Sequence, residues 1–167
     1  MNKFEISDTE CNFDRITDYA VSLDGTVAVG ANQYLNIYHN DGSFLYSYWI
    51  HDVSGAYTLE FSDKDILIYK IRKEESILLH PDGSYLSVDS ANHKENSRSS
   101  QTINQIDYQI NSTLTELTAT DQSGNTRIIY QMSASAQQQD ILLTLLIIVT
   151  AIAGIIIKIQ KKEKPSA

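Results

Sequence analysis

Histidines and neighbouring carboxylates are the residues whose types and spacing could support chemistry. His39 and His80 each lie two residues before a turn aspartate, Asp41 and Asp82 respectively. A metal site needs three or four groups that converge on one point, and the third copy of this turn has Asp121 in place of a histidine. We therefore interpret both histidines as half-exposed residues beside turns and predict neither a metal site nor a cofactor.

His51, Asp52 and Ser54 are the residue types of a serine nucleophile site. A Ser-His-Asp triad depends on orientation in space, not on closeness in sequence, and the chain has no Gly-x-Ser-x-Gly motif. The segment is expected to end one structural unit and turn into the next. A hydrolase that uses His51 and Asp52 is the least favoured functional hypothesis, and the chain is predicted not to be an enzyme.

Aromatic side chains are dense in the first half of the chain. Tyr46 and Tyr48 share one strand face and Trp49 points to the other, because side chains alternate along a strand. Tyr and Trp are enriched at binding hot spots, so Tyr46, Tyr48, Trp49 and Tyr57 form a candidate binding surface. Packing between neighbouring sheets also uses bulky rings and is the favoured alternative.

Charge and cysteine content exclude several classes of function. Residues 1–140 contain 20 Asp and Glu against 9 Lys and Arg, a formal net charge of −11, whereas residues 158–167 carry +3. Nucleic-acid binding needs a basic surface, so no nucleic-acid partner is expected. The single cysteine, Cys11, excludes an intramolecular disulfide, and we interpret it as a small apolar core residue.

A turn motif recurs with a constant period. Gly42, Gly83 and Gly124 are 41 residues apart, and a period near 40–45 is typical of a four-stranded propeller blade. Each copy follows a segment that reads as a strand, and the apolar run at residues 77–79 predicts a strand covered on both faces. The structural turns are therefore assigned to Asp24, Gly25, Asp41, Gly42, Asp82, Gly83 and Gly124.

An earlier hairpin precedes each copy of this turn. Asp24-Gly25 lies between two apolar runs and predicts a two-residue type I′ turn. Asp63-Lys64 and Asn104-Gln105 occupy the matching places. Each unit is thus strand, turn, strand, loop, strand, turn, strand, which predicts an all-β head of about three four-stranded, propeller-like repeat units.

In period and hairpin chemistry, residues 4–132 resemble the blades of β-propeller families such as WD40, NHL and quinoprotein-like repeats. The Gly-His and Trp-Asp signatures of WD40 repeats are absent, since Trp49 is followed by Ile50, so no functional residue is carried over. The chain also resembles small uncharacterised proteins that join such blades to one membrane helix.

Three units are fewer than the four to eight of a closed propeller. The units are expected to form an open twisted assembly, to complete a ring with other chains, or to pack as a β-sandwich. Residues 3–6 are expected to add a strand at one edge, and residues 87–101 to form a surface loop.

The C-terminal segment predicts a membrane helix. Residues 141–157 contain no charge, and with residues 158 and 159 the helix would span about 28 Å. We divide the chain into a β-repeat domain (1–132), a polar tether or helical lead-in (133–140), a transmembrane helix (141–159) and a basic tail (160–167). Thr150 and Gly154 form a small-xxx-small pair that permits close helix contact.

Two rules disagree on orientation. Lysines follow the helix, which by the positive-inside rule places the tail in the cytoplasm and the head outside. The N-terminal residues lack the apolar segment of a signal peptide, so the alternative is a tail anchor with a cytoplasmic head. We favour the extracytoplasmic head on a single-pass protein of the cell membrane.

The sequence therefore predicts a membrane-anchored β-repeat module for binding or interaction. Its expected partners are the lipid bilayer and either a protein or a second copy of the chain. The alternative is a structural subunit that completes a propeller by oligomerisation or within a larger membrane complex.

Overall fold

The computed structural model describes residues 3–51, 56–88 and 99–162. The chain forms two compact units, Met1–Met132 and Ser133–Ala167. All strands lie in the first unit and the one α-helix of the described residues lies in the second. The predicted combination of a β-rich head and one C-terminal apolar helix is thus confirmed.

Three antiparallel sheets make up the first unit. Sheet 1 has the strand order β1-β5-β4-β3-β2, sheet 2 β6-β7-β8-β9 and sheet 3 β10-β11-β12-β13. The strands are β1 (Phe4–Ser7), β2 (Asp18–Val21), β3 (Val27–Ala31), β4 (Tyr34–Tyr38), β5 (Phe44–Ile50), β6 (Tyr57–Ser62), β7 (Asp65–Lys70), β8 (Glu75–Leu79), β9 (Tyr85–Val88), β10 (Ser100–Ile103), β11 (Ile106–Ile110), β12 (Glu116–Thr120) and β13 (Thr126–Gln131). Over the described residues, no closed propeller is shown.

The turn glycines all adopt the same conformation. Gly25, Gly42, Gly83 and Gly124 have φ between 81° and 91°, a region that favours glycine. In each turn the glycine N–H donates to the carbonyl three residues earlier, for example from Gly42 to His39 at 3.1 Å. The same geometry at Gly42, Gly83 and Gly124 accounts for the turn motif that recurs every 41 residues.

The predicted type I′ turn at Asp24-Gly25 is wrong. A type I′ turn needs positive φ at both central residues, and here only the glycine has it. Ser22 N–H bonds to Thr26 O at 2.9 Å, which makes a three-residue loop, and the Asp24 carboxylate accepts from Thr26 N–H at 3.0 Å. The type I′ pattern occurs instead at Asn104-Gln105, with φ of 49° and 65°.

The turn aspartates accept hydrogen bonds within their own turns. Asp41 accepts hydrogen bonds from the Ser43 hydroxyl at 2.6 Å and its N–H at 2.8 Å, and Asp82 has the same bonds from Ser84. These bonds lower the pKa of each carboxyl below its ordinary 3.8. A lowered folded-state pKa contributes stability that is present above the unfolded-state pKa and lost as pH falls through the folded-state pKa.

We therefore expect the double variant Asp41→Asn/Asp82→Asn to melt slightly below the natural protein at pH 7. Asparagine keeps an acceptor oxygen but not the charge, so the difference should be smaller at pH 2 than at pH 7, because the aspartate carboxylates lose their charge as the pH falls through their lowered folded-state pKa. Thermal unfolding followed by circular dichroism at both pH values measures it. If the melting temperatures of the two proteins differ by the same amount at both pH values, the charge of the two carboxylates contributes nothing to stability.

Sheet 1 lies between the other two sheets. On one side β2 contacts β6 of sheet 2, where the buried Asp18 carboxylate accepts from Leu59 N–H at 2.7 Å. On the other side Tyr19 donates its hydroxyl to Tyr108 O of sheet 3 at 3.1 Å. Every residue of β2 and β3 is consequently buried. The spatial order of the sheets is 3-1-2.

The edge strand β1 completes sheet 1 on its outer side. β1 pairs antiparallel with β5, from Phe4 opposite Ile50 to Ser7 opposite Ser47. Phe4 and Ile50 both belong to the apolar core between sheets 1 and 2. The strand expected from residues 3–6 thus covers the open edge of β5.

The second unit contains the helix α1 (Ala134–Lys162). Ser133 caps its first turn, with Ala136 N–H donating to Ser133 Oγ at 3.4 Å. The residues interpreted as a polar tether or lead-in are helical from Ala134 onward. The 22 residues Ala134–Ile155 are long and apolar enough to cross a membrane, at about 33 Å.

Its two threonines have internal hydrogen-bond partners. Thr144 donates to Asp140 O at 2.8 Å, and Thr150 donates to Ile147 O at 2.8 Å. A hydroxyl satisfied by its own helix avoids an unpaired polar group in lipid.

Candidate functional site

The four side chains predicted as a binding surface lie in three different places. Tyr48 and Tyr57 are each 1% exposed, and Tyr46 is half-buried beside Tyr48. Trp49 is 39% exposed and lies on the opposite face of β5. Only Tyr46 and Tyr48 are brought together, with their rings edge to face at 5.4 Å.

Tyr46 and Tyr48 line a cleft between sheets 1 and 2. The cleft has a volume of about 280 Å³, with apolar walls from both sheets and Asp24, Asp63 and Lys64 among its lining. Tyr48 donates its hydroxyl to Pro81 O at 2.9 Å, and burial raises the pKa of Tyr48. This tyrosine is therefore a fixed hydrogen-bond donor that joins the two sheets.

Tyr57 has a packing role between the same sheets. Its hydroxyl donates to Tyr34 O at 3.3 Å, and burial raises the pKa of Tyr57. The ring lies over Gly30, where an added Cβ would come within 2.6 Å of the Tyr57 hydroxyl oxygen. Because Gly30 has no side chain, it leaves the space on β3 that the Tyr57 ring occupies.

A row of surface side chains, of which Trp49 and Glu5 are exposed and Tyr34 and His51 half-buried, crosses the outer part of sheet 1. Tyr34 in β4 is paired with Trp49 in β5, which in turn is paired with Glu5 in β1. The Tyr34 and Trp49 rings stack with centroids 6.4 Å apart and planes 21° apart, and the His51 ring lies 4.3 Å from Trp49. We call Tyr34, Trp49, His51 and Glu5 the aromatic row.

Backbone and side-chain bonds fix this row. His51 N–H donates to Lys3 O at 3.0 Å, and its ring nitrogen Nε2 lies 3.3 Å from Glu5 Oε2. The Glu5 side chain is 65% exposed, so its carboxylate also faces solvent. The row therefore presents ordered aromatic rings beside an accessible negative charge.

An open groove extends the row toward sheet 2. Its volume is about 870 Å³, and it runs along β1 to the turn between β8 and β9. Glu5 and Asp82 are its two carboxylates, and it is lined by Phe4, Glu5, Ile6, His51, Asp82, Gly83, Ser84 and Tyr85. A rigid aromatic ring with carboxylates nearby favours a cationic group, which binds a ring face by the cation–π interaction.

Sequence reasoning placed Trp49 of this row in a candidate binding surface but did not find its neighbours or their arrangement. Alternation along β5 places Trp49 and His51 on one face. The contribution of Glu5 depends on the pairing of β1 with β5, across 44 positions of sequence. The sequence did predict a strand at residues 3–6, but it did not predict which residues of β5 would pair with it.

The histidines and acids proposed for other chemistry are dispersed. His39 closes its turn by donating its N–H to Ser43 O at 2.9 Å, and His80 Nδ1 lies 2.9 Å from Asp65 Oδ1. Asp52 and Ser54 lie outside the described residues. Within residues 3–51, 56–88 and 99–162, no three His, Cys, Asp or Glu side chains are grouped to hold a metal ion.

Cys11 is half-buried, where the sequence predicted a core position. Its N–H donates to the Asn36 side chain at 3.1 Å, and Asn36 donates back to Cys11 O at 2.7 Å. Burial raises the pKa of the thiol, which lowers its reactivity at neutral pH.

The chain matches no protein-family model and no curated protein. It is similar to solved β-propeller-type structures: a selenomethionine-substituted virginiamycin B lyase from Staphylococcus aureus (12% identity, TM-score 0.38), a streptogramin B lyase (10%, 0.38) and an inactive variant of the S. aureus lyase with quinupristin (14%, 0.39). The matches cover 75% of this chain and 44–45% of those chains, so this chain spans less than half their length.

These neighbours contradict the prediction that the chain is not an enzyme, because the proteins it aligns with are lyases. That prediction is withdrawn. At 10–14% identity the alignments assign no activity to this chain.

Proposed function

We propose that the chain is a single-pass, membrane-anchored recognition module whose aromatic row binds a Lys- or Arg-containing segment of a protein partner. The observation that carries this proposal is the ordered stack of Tyr34, Trp49 and His51 at the surface beside Glu5. Exposed tryptophan at the centre of such a stack is typical of binding hot spots.

The negative net charge of residues 1–140 favours a cationic partner. The acidic excess of residues 1–140 attracts basic segments over distances of about a Debye length, near 8 Å at physiological salt. The row then supplies the short-range recognition, because an ammonium or guanidinium group can lie over an indole ring and pair with the Glu5 carboxylate. Long-range attraction and local selectivity thus act together.

The helix α1 supports anchoring. Its residues Ala134–Ile155 are long and apolar enough to cross a membrane, and residues 141–155 are all exposed. The lysine-rich residues 158–167 follow it, which favours a cytoplasmic tail and a head on the opposite side of the membrane. The aromatic row would then face extracytoplasmic partners.

Trp49 is the only tryptophan of the chain, so its fluorescence reports directly on the row. We expect a short Lys-rich peptide, titrated into the full-length protein in detergent at 150 mM salt, to change Trp49 emission saturably. Glu5→Gln and Tyr34→Ala should each weaken binding about three- to tenfold, since each removes one contact to the cation. Calorimetry on Trp49→Ala should show at least a tenfold loss.

The matched control is Phe13→Ala, which removes another exposed aromatic ring, 61% exposed, outside the row. It should bind as the natural protein does, and a Glu-rich peptide of equal length should not bind. Equal affinity of the peptide for the natural protein and all three row variants would reject the proposal, because binding would then reflect only the general acidity of the head.

A further inference from the structure

The first strand of sheet 1 has one unpaired edge. In the order β1-β5-β4-β3-β2, β1 pairs only with β5. On the β1 side of β5, His51 N–H donates to Lys3 O at 3.0 Å, and on the β4 side Ile50 N–H donates to Gln33 O at 2.8 Å. The main-chain groups of successive β5 residues therefore alternate between β1 and β4, and those of Trp49 face β1.

This alternation determines which main-chain groups of β1 remain free. Glu5 lies opposite Trp49, so the N–H and C=O groups of Glu5, and those of Ser7 two residues later, face β5. The N–H and C=O groups of Phe4 and Ile6 point the other way, to the open edge. Among the described residues, none forms a hydrogen bond with the main chain of Phe4 or Ile6.

The groove of about 870 Å³ between β1 and the β8–β9 turn lies along this edge. Phe4, Glu5 and Ile6 all line it. Successive side chains of a strand point to opposite faces, so a groove lined by three consecutive residues runs beside the strand and not over one of its faces. The turn is close on the other side, since a Cβ on Gly83 would lie 3.2 Å from Ile6 Cδ1. The volume is within the roughly 300–1,000 Å³ of ligand-binding clefts.

We propose that the partner segment binds in this groove as an additional β-strand paired with the free edge of β1. The inference rests on the proposed function and specifies the conformation of the basic segment that the aromatic row recognises. An extended segment supplies N–H and C=O groups to the unpaired main chain of Phe4 and Ile6. In this mode of recognition the main-chain hydrogen bonds give affinity and the side chains give specificity.

Strand pairing also determines where the basic side chain lies. A residue opposite Glu5 has its side chain on the same face as Glu5, with the two Cβ atoms about 4.5–5.5 Å apart. Trp49 and His51 are on this face, because Glu5 is directly opposite Trp49. A lysine or arginine at this position pairs with the Glu5 carboxylate and extends over it toward the Trp49 ring.

The two residues that flank the basic residue point to the other face of the added strand. On that face Ile6 is 47% exposed, and Phe4 packs against the half-buried Tyr85 with ring centroids 5.4 Å apart. Valine or another β-branched apolar residue fits such a surface. The preferred segment is therefore extended, with one basic residue between two apolar ones. The short length of β1 and the charge of Glu5 disfavour pairing with strands that lack this pattern.

Methylation of the peptide main chain tests the strand. A short peptide with one central lysine flanked by valines is titrated into the full-length protein in detergent at 150 mM salt, and Trp49 fluorescence reports binding. Successive N–H groups of a strand point to opposite sides, so only alternate N–H groups reach β1. We compare a peptide N-methylated at the lysine with one N-methylated at the next valine. One should bind within twofold of the unmodified peptide, and the other at least tenfold more weakly.

A substitution in β1 tests the same hydrogen bonds from the protein side. Ile6→Pro removes the N–H at the open edge, and edge strands tolerate proline where the N–H faces outward. Ile6→Ala removes the same side chain but keeps the N–H, so it is the matched control. We expect Ile6→Pro to bind the unmodified peptide at least fivefold more weakly than Ile6→Ala does. The methylated peptides test the proposal whatever Ile6→Pro does to folding.

Equal affinity of the two methylated peptides would overturn strand pairing, whether both bind or neither does, because a strand uses alternate N–H groups. If both bind equally and Trp49→Ala still weakens binding, the aromatic row recognises the basic group without an added strand, and the proposed function stands. If the unmodified peptide does not bind at all, the proposed function fails together with this inference.

Discussion

Replacing Gly42 by alanine should destabilise the head by about 3 kcal/mol or more, whereas Gly124→Ala should cost only about 1–2 kcal/mol. The two glycines occupy the same turn position, with φ of 89° and 81°. A Cβ at Gly124 would meet open space, but at Gly42 it would overlap the carbonyl oxygen of Ile128 in sheet 3. Both variants carry the same backbone strain, so their difference isolates the contact between sheets 1 and 3.

The Gly42 turn and the main chain of Ile128 are both held in place by hydrogen bonds. Ile128 is paired with Thr118 in the β12–β13 ladder, and Arg127 Nε donates to Asn40 O in the Gly42 turn. An alanine at position 42 must therefore displace sheet 3 from sheet 1 or deform the turn. The overlap is with main-chain atoms, so no side-chain rotation relieves it.

Thermal unfolding of the two variants and the natural protein, followed by circular dichroism, measures this difference. A stability difference of 1.5 kcal/mol corresponds to about 3–8 °C in Tm for a domain of this size. If Gly42→Ala and Gly124→Ala unfold at the same midpoint, the close approach of sheet 3 to the Gly42 turn is incorrect. Retained stability in Gly124→Ala also shows that the turn tolerates alanine.

The strands and turns of the head were largely predictable because their determinants are local. A turn that ends in a glycine with positive φ depends on only three or four consecutive residues, and it recurs at Gly42, Gly83 and Gly124. The turn at Asp24-Gly25 shows the limit of this reasoning. The same dipeptide suits a two-residue and a three-residue loop, and the pairing of Val21 with Val27 selects the longer one.

The order of the sheets in space was not predictable from the period. A repeat of 41 residues defines units, but it does not say that sheet 3 packs on sheet 1. That arrangement depends on contacts between distant residues, such as Tyr130, whose hydroxyl donates to Asp14 O at 2.6 Å. Together with the Tyr19 hydroxyl, which donates to Tyr108 O, this contact joins sheet 3 to the side of sheet 1, whereas Leu59 N–H of sheet 2 donates to Asp18 of sheet 1.

The candidate site shows the same division between local and distant determinants. Trp49 was recognised from composition and from alternation along β5. Its neighbours Tyr34 and Glu5 come from β4 and β1, and only the registers of two strand pairs place them beside it. The aromatic residues that sequence grouped with Trp49 lie on the other face because they join sheets 1 and 2.

The orientation of the chain in the membrane is the second prediction with a large expected effect. Lys158, Lys161, Lys162 and Lys164 follow the apolar segment, and the nearest preceding basic residue is Arg127. The positive-inside rule counts basic residues within about 15–20 positions of the membrane. We therefore expect residues 158–167 in the cytoplasm and the acidic head on the opposite side of the membrane.

Cys11 is a poor reporter for this test, because it is half-buried and burial raises the pKa of its thiol. Gln122→Cys on a Cys11→Ser background places a thiol in an exposed turn of sheet 3. Ser166→Cys on the same background places one in the basic tail. We expect a membrane-impermeant maleimide to label the first variant in intact cells at least tenfold more than the second, and to label both equally after lysis.

The reverse pattern, with the tail labelled in intact cells, would contradict the positive-inside assignment. If neither variant is labelled before lysis, the head lies in the cytoplasm, and the tail does not extend far enough beyond the outer side of the membrane to react with the reagent. In that case the basic partner of the aromatic row would be a cytoplasmic protein, and the same Lys-rich peptide would still bind in detergent. The orientation and the chemistry of the row are therefore separable, because one is set by residues 158–167 and the other by Trp49 and Glu5.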